Sequence, residues 1–166
     1  TPAQVGAFMI AHRIRRPEPE ELAGMLDTYA EYGPILRSEK EQKKPICFGM
    51  PFDGRTRHAP IYPITSLILL SKGQPVVLHG GRRMPTKYGV TTQELFEVLG
   101  LNLKGLILKE VQEGFNLNGF ALIHQPDHFP LADELISYRE EIGKRPPLAS
   151  VELIWTAHKG DHLLTS

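Results

Sequence analysis

The chain has 166 residues, 41% of them hydrophobic and 23% charged, with 19 basic residues balancing 19 acidic ones. That is enough for one packed domain, or for one domain and part of another. A neutral chain has no global field to hold nucleic acid or an anionic membrane, so any anion site must be a local cluster.

Thr1-Pro2-Ala3-Gln4 opens the first predicted helix, with a capping threonine, a proline at the first helical position and a glutamine to complete a capping box. Val5, Phe8, Met9 and His12 follow at helical spacing on one face. A second helix starts near Pro19, where Glu20 and Glu21 favour the positive end of the helix dipole. Its apolar face is Leu22, Met25, Leu26 and Tyr29, and Gly33-Pro34 ends it. Residues 1–36 therefore read as a helical hairpin. Residues 37–45, "RSEKEQKKP", are a charge-dense linker whose charges read as solvated surface.

From residue 46 to 166 the texture is that of an incomplete α/β domain. "ICFGM" is a strand, and Cys47 within it cannot form an internal disulfide; it reads as core packing in a reducing compartment. Residues 61–72 read as a helix, although periodicity alone leaves a buried strand open. The apolar run there is interrupted by Pro63, Thr65 and Ser66, and is short of the roughly 20 residues that a membrane span requires. "PVVLH" is a strand, residues 91–99 and 106–112 are helices, "GFALIH" is a strand and residues 131–142 are a helix. Apolar strands alternating with helices predict a parallel sheet covered on both faces. The start carries no cleavable signal pattern, which predicts a cytoplasmic protein. It begins on a threonine, and "DHLLTS" opens a strand with no turn after it, so the chain is expected to be a piece of a longer protein.

In such sheets ligands bind at the carboxyl ends of strands, where "MPFDGRTRH" and "LHGGRRMPTKYG" lie. Gly80 and Gly81 after His79 allow close backbone approach. Arg82 and Arg83 supply charge, and Thr86 and Lys87 a hydroxyl and an ammonium. The competing reading is a tight turn with a solvated basic rim. Asp53-Gly54 is turn chemistry, followed by Arg55 and Arg57. His124 and His128, and His158 and His162, have four-residue spacing, but Pro126 and Gly160 interrupt the pairs and no cysteine cluster supports them, so no metal site is predicted. Arg139 and Arg145 flank "EEIG" near a helix end and read as dipole partners and solvated charge.

Three segments in order along the chain carry a resemblance. "QVGAFMIAHRIRRPEPEELAG" is similar to GAFLxALRxKGETxEEIAG, "LHGGRR" to KHGNR, and "YREEIGKRP" to VRRELGxRT. Together they resemble the anthranilate phosphoribosyltransferase family, whose fold is shared with pyrimidine nucleoside phosphorylases. The resemblance makes residues 1–36 part of an N-terminal helical domain and suggests a homodimer through it. It implies that His79 and Gly80 lie near an aromatic acceptor, and that Arg139 faces the acceptor carboxylate. Arg82 takes the place of the KHGNR arginine and Thr86 that of a phosphate-binding serine. Asp53 and Gly54 end a pyrophosphate loop of the form GTGGDG. It also implies pentosyl transfer from phosphoribosyl pyrophosphate, with Mg2+ helping pyrophosphate leave and held by acidic residues outside this chain.

The departures are as informative. In Gly49-Met50-Pro51-Phe52-Asp53-Gly54, Pro51 and Phe52 replace two permissive glycines, and Pro51 has no N–H to donate. Ala59, Ile61 and Tyr62 stand at the family's asparagine, serine and threonine, Leu78 at its lysine, Gly81 at its asparagine and Pro85 at a serine. Hydrogen bonds to charged groups contribute roughly 1.5–3 kcal/mol each, so these losses dismantle the usual site. Two hypotheses follow. Arg55, Arg57, Arg82, Arg83 and Lys87 rebuild an anion site of different shape in a phosphoribosyltransferase-like enzyme. Alternatively, a non-catalytic relative uses the same loops to bind a nucleotide, nucleic acid or another small anionic or phosphorylated ligand.

Overall fold

Four short strands run parallel in the computed structural model of the protein, which describes residues 1–39, 42–160 and 162–165. They are β1 (Ile46–Gly49), β2 (Val76–Gly80), β3 (Phe120–His124) and β4 (His162–Thr165), in the order β3-β2-β1-β4. Register is set by Val77 facing both Cys47 and Ala121, and by Cys47 facing Leu163. Lys40 and Glu41 of the expected linker, and Asp161 and Ser166 of the terminal strand segment, lie outside the described residues.

Because strand side chains alternate, the apolar runs feed two cores. Cys47, Val77, Ala121 and Ile123 enter one, with Phe115, Trp155, Phe129 and Tyr29. Phe48, Val76, Leu78 and Leu122 enter the other, with Phe96 and Met50. The buried, free Cys47 is a core residue, as its neighbours predicted. The helices are α1 (Pro2–Arg15), α2 (Pro19–Tyr32), α3 (Tyr62–Ser71), α4 (Thr92–Val98), α5 (Leu108–Asn118), α6 (Gln125–His128), α7 (Pro130–Asp133), α8 (Ile136–Ile142) and α9 (Leu148–Ile154). No helix among the described residues is long and apolar enough to cross a membrane.

Helix starts follow local chemistry. Thr1 with Gln4, and Thr91 with Glu94, form capping boxes as the sequence indicates. The α2 face Leu22, Met25, Leu26 and Tyr29 packs into the first core. In α1 only Met9 is deeply buried and Phe8 is 52% exposed. This helix rests mainly against α8, so its predicted face is only partly used. Three expectations change. The 106–112 helix is in fact Leu108–Asn118, because Gly114 does not stop it. The 131–142 helix is two pieces, α7 and α8. Helix α9, which follows Pro146 and Pro147, was not predicted. Gly49 lets α9 lie on β1, since a Cβ there would run into the Leu153 carbonyl.

Candidate anion-binding site

Two loops leave the carboxyl edge of the sheet, residues 50–61 after β1 and 81–91 after β2, and the chain ties them together. Arg55 and Val90 exchange backbone hydrogen bonds of 3.4 and 3.2 Å, and the Gly89 N–H donates to the Asp53 carbonyl at 3.0 Å. Gly54 sits between them at φ 75°, where a side chain would be strained and would meet the Gly89 backbone. The Tyr62 and Thr92 hydroxyls, 2.9 Å apart, join the helices that follow the two loops.

Asp53 is fully buried. Its Oδ1 is 3.3 Å from Lys87 Nζ and its Oδ2 is 3.0 Å from Arg145 Nε. An isolated buried carboxylate would be costly; two cations offset its charge, and it fixes both of them at the loop junction. Above it, Arg55, Thr56, Arg57, His58 and Lys87 line a cleft of about 410 Å³, with no acidic residue among the lining. Arg55 also lines an adjoining cavity of about 270 Å³ with Phe48, Met50, Ile61 and Tyr62. A cationic cleft beside an apolar one suits a ligand with an anionic part and a flat apolar part.

The structure thus brings Arg55, Arg57 and Lys87 together over Asp53 and Gly54. Arg82 is held instead by Asp133, with Nε 3.2 Å from each carboxylate oxygen, and Arg83 by Glu94 at 2.7 Å. Thr86 is exposed, and Gly80 and Gly81 are buried. Gly81 packs against Met84 and Gln125, so the two glycines serve close packing of the edge.

His79 and Arg139 are interior. The His79 ring lies between Phe52 and Trp155, with centroids at 4.8 and 5.8 Å, and its Nε2–H donates to the Glu152 carbonyl at 2.8 Å. Burial pushes its pKa down to about 3, so the imidazole is neutral. Arg139 is 3% exposed and forms an ion pair with the Glu152 carboxylate, while its Nη1–H reaches Met84 Sδ at 3.0 Å. Burial lowers the Arg139 pKa to about 10, which still leaves it charged at neutral pH. The expectation of solvated charge at Arg139 is therefore corrected: its partner comes from α9, an element the sequence did not reveal. Glu152 has no local signal in the sequence. Thr56 and His58 could have been found, since they interleave with Arg55 and Arg57 in one loop.

Among the described residues no group of three or more His, Cys, Asp or Glu side chains is placed to hold a metal ion. Asp53, the buried carboxylate at this edge, is already shared by two cations, so the residues present do not fit a magnesium site. His124 and His128 do meet, because Pro126 occupies the first turn of α6 and does not break it. The His124 N–H donates to His128 Nδ1 at 2.9 Å, and His128 Nε2–H donates to the Leu106 carbonyl at 2.8 Å. Both His128 nitrogens are thereby used in pinning a loop.

Residues 1–33 match the profile of a family described as glycosyl transferase family, helical bundle domain. Among curated proteins, the anthranilate phosphoribosyltransferase of Methylocella silvestris is 28% identical over 145 residues, which cover 87% of this chain and 40% of that protein. That of Nocardia farcinica is 30% identical over 103 residues, 62% of this chain and 28% of the relative. Among solved structures, the anthranilate phosphoribosyltransferase of Thermus thermophilus matches with a TM-score of 0.81 at 20% identity, over 99% of this chain and 48% of its own. The one from Saccharomyces cerevisiae, in complex with PRPP and Mg, matches with a TM-score of 0.72 at 14% identity, over 95% and 43%. The chain spans 40% or less of the two curated relatives and under half of the two solved structures.

Proposed function

We propose that the full-length protein, which is similar to the anthranilate phosphoribosyltransferases in sequence and fold, transfers a pentosyl group from phosphoribosyl pyrophosphate to an aromatic or base acceptor. The observation that carries this reading is the cationic cleft of Arg55, Arg57 and Lys87 at the carboxyl edge, beside an apolar cavity. The phosphate groups lie against the cations. The ring of the acceptor lies against Met50 and Tyr62. The acceptor nitrogen forms a bond to the anomeric carbon as the bond to pyrophosphate oxygen breaks; the electron pair leaves with pyrophosphate, and the proton lost by the acceptor nitrogen passes to solvent. The chain's contribution is positioning and charge stabilisation. A magnesium ion would neutralise charge on the leaving group, held by residues outside this chain.

In this reading Asp53 and Gly54 shape the first loop without touching ligand. His79, Gly80, Gly81 and Arg139 support the floor of the site, and Arg82, Arg83 and Thr86 form its outer rim. Residues 1–36 belong to a helical domain, 37–45 link it, and 46–166 belong to the α/β domain of a cytoplasmic protein. Exposed Phe8, Ile14 and Tyr32 on the hairpin support a homodimer through that surface.

The reading is tested by pyrophosphate release from full-length protein supplied with phosphoribosyl pyrophosphate, magnesium and a panel of aromatic acids and bases. Arg57→Ser is expected to raise KM for phosphoribosyl pyrophosphate about 10- to 100-fold, the loss of one charge-assisted contact. The melting temperature should stay unchanged, because Arg57 is exposed. Absence of release with every acceptor would overturn the proposal.

A further inference from the structure

A second cationic cleft lies away from the sheet edge. It is a cavity of about 330 Å³ between the turn joining α1 to α2 and the segment entering α9. His12, Arg13, Arg16 and Arg145 line it together with Ser150, and no acidic residue is among its lining. The carboxylates that face His12 and Arg145 have other partners as well. Glu21 receives two contacts from Arg15, at 2.5 and 2.7 Å, as well as the Glu18 N–H, and stands 3.8 Å from His12 Nδ1. Asp53 is divided between Lys87 and Arg145 Nε.

Three features of this cleft favour an oxyanion. Arg145 Nη2 and His12 Nδ1 are buried atoms with no hydrogen-bond partner among the described residues. Buried polar groups are nearly always satisfied, so an unmet one calls for an explanation, and a bound ion or water is one such explanation. Arg16 holds φ 67°, a conformation that a glycine would adopt without strain. A non-glycine residue kept there at a cost in backbone energy is a recurring mark of functional positions. Finally, three arginines line one cavity, and the guanidinium fork matches phosphate oxygens in pairs. The volume is at the lower end of small-molecule sites.

We propose that this junction cleft is a second anion site that binds a phosphate group, either free or as a small phosphomonoester, through Arg13, Arg16 and Arg145. It is separate from the edge cleft and does not depend on the transferase reading. Through Arg145, whose Nε pairs with Asp53, its occupancy reaches the loop that carries Arg55 and Arg57.

The test is calorimetric titration of full-length protein with inorganic phosphate in the Arg57→Ser background, which weakens the edge cleft and isolates the junction. Saturable binding of one phosphate is expected, made at least tenfold weaker by adding Arg13→Gln and Arg16→Gly. Arg16→Gly relieves the positive φ, so the fold should be retained, as circular dichroism would verify. A small phosphomonoester should compete with phosphate for the same site; if it does not, the site takes the free ion only. Absence of phosphate binding in Arg57→Ser, or binding indifferent to the Arg13 and Arg16 replacements, would overturn the proposal. Neither outcome bears on pyrophosphate release.

Discussion

Replacing Arg139 with alanine is expected to destabilise the protein by about 3–5 kcal/mol, the cost of leaving a buried carboxylate without its counter-ion. Glu152 is 1% exposed, and neither of its carboxylate oxygens has a hydrogen-bond partner among the described residues, so its charge rests on the ion pair with Arg139. The same physics predicts the opposite for the pair removed together. Arg139→Met with Glu152→Leu should be neutral, or more stable by about 1–4 kcal/mol, because two desolvation costs vanish and apolar contacts replace them. Met84, which touches Arg139, is itself part of the first apolar core. Denaturant unfolding of the three proteins measures this. A loss below about 1 kcal/mol in the single variant would mean that Glu152 is not a buried charge.

The second large effect is an acid-side loss of stability through His79. Its folded pKa is about 3 against an ordinary 6.5, because burial opposes the charged ring. Above pH 6.5 the ring is neutral in both states and contributes no pH dependence. As pH falls below 6.5 the unfolded chain takes up a proton that the native state refuses. Stability then falls by roughly 1.4 kcal/mol per pH unit until the folded pKa is reached. Between pH 6.5 and 4.5 the wild type should therefore lose about 2–3 kcal/mol more than His79→Gln, whose amide can still donate to the Glu152 carbonyl. His128 and His158 are also lowered by burial and add an acid slope common to both proteins. Parallel pH profiles for the two proteins would contradict a buried neutral His79.

Strands and caps were legible in the sequence because their causes are local. "VVLH" and "ALIH" are apolar at consecutive positions, as a strand buried on both faces must be, and Thr91 with Glu94 is a complete capping signal within four residues. Helix α9 was hidden because Pro146-Pro147 reads as a breaker, yet Pro147 is its N-cap and proline is well tolerated where a helix begins. The break between α7 and α8 lies at Glu134-Leu135, where nothing in residue type forbids a continuous helix.

The site divides in the same way. That Arg55, Arg57, Arg82, Arg83 and Lys87 occupy loops at the carboxyl edge follows from their position after apolar strands. Which of them converge does not follow. Asp133, 51 residues beyond Arg82, draws that guanidinium aside, and Glu94 does the same to Arg83. Lys87 turns inward because Asp53 is buried beneath it. Long-range carboxylates sort the cations, and single-sequence reading assigns them no partners.

We propose that the phosphates of phosphoribosyl pyrophosphate bind in the Arg55, Arg57 and Lys87 cleft. Calorimetric titration of the full-length protein with phosphoribosyl pyrophosphate and magnesium tests it most directly. Micromolar binding is expected, weakened about 10- to 100-fold by Arg57→Ser and left within a few-fold of wild type by Arg13→Gln. No binding at millimolar ligand, or binding unchanged by Arg57→Ser, would contradict it.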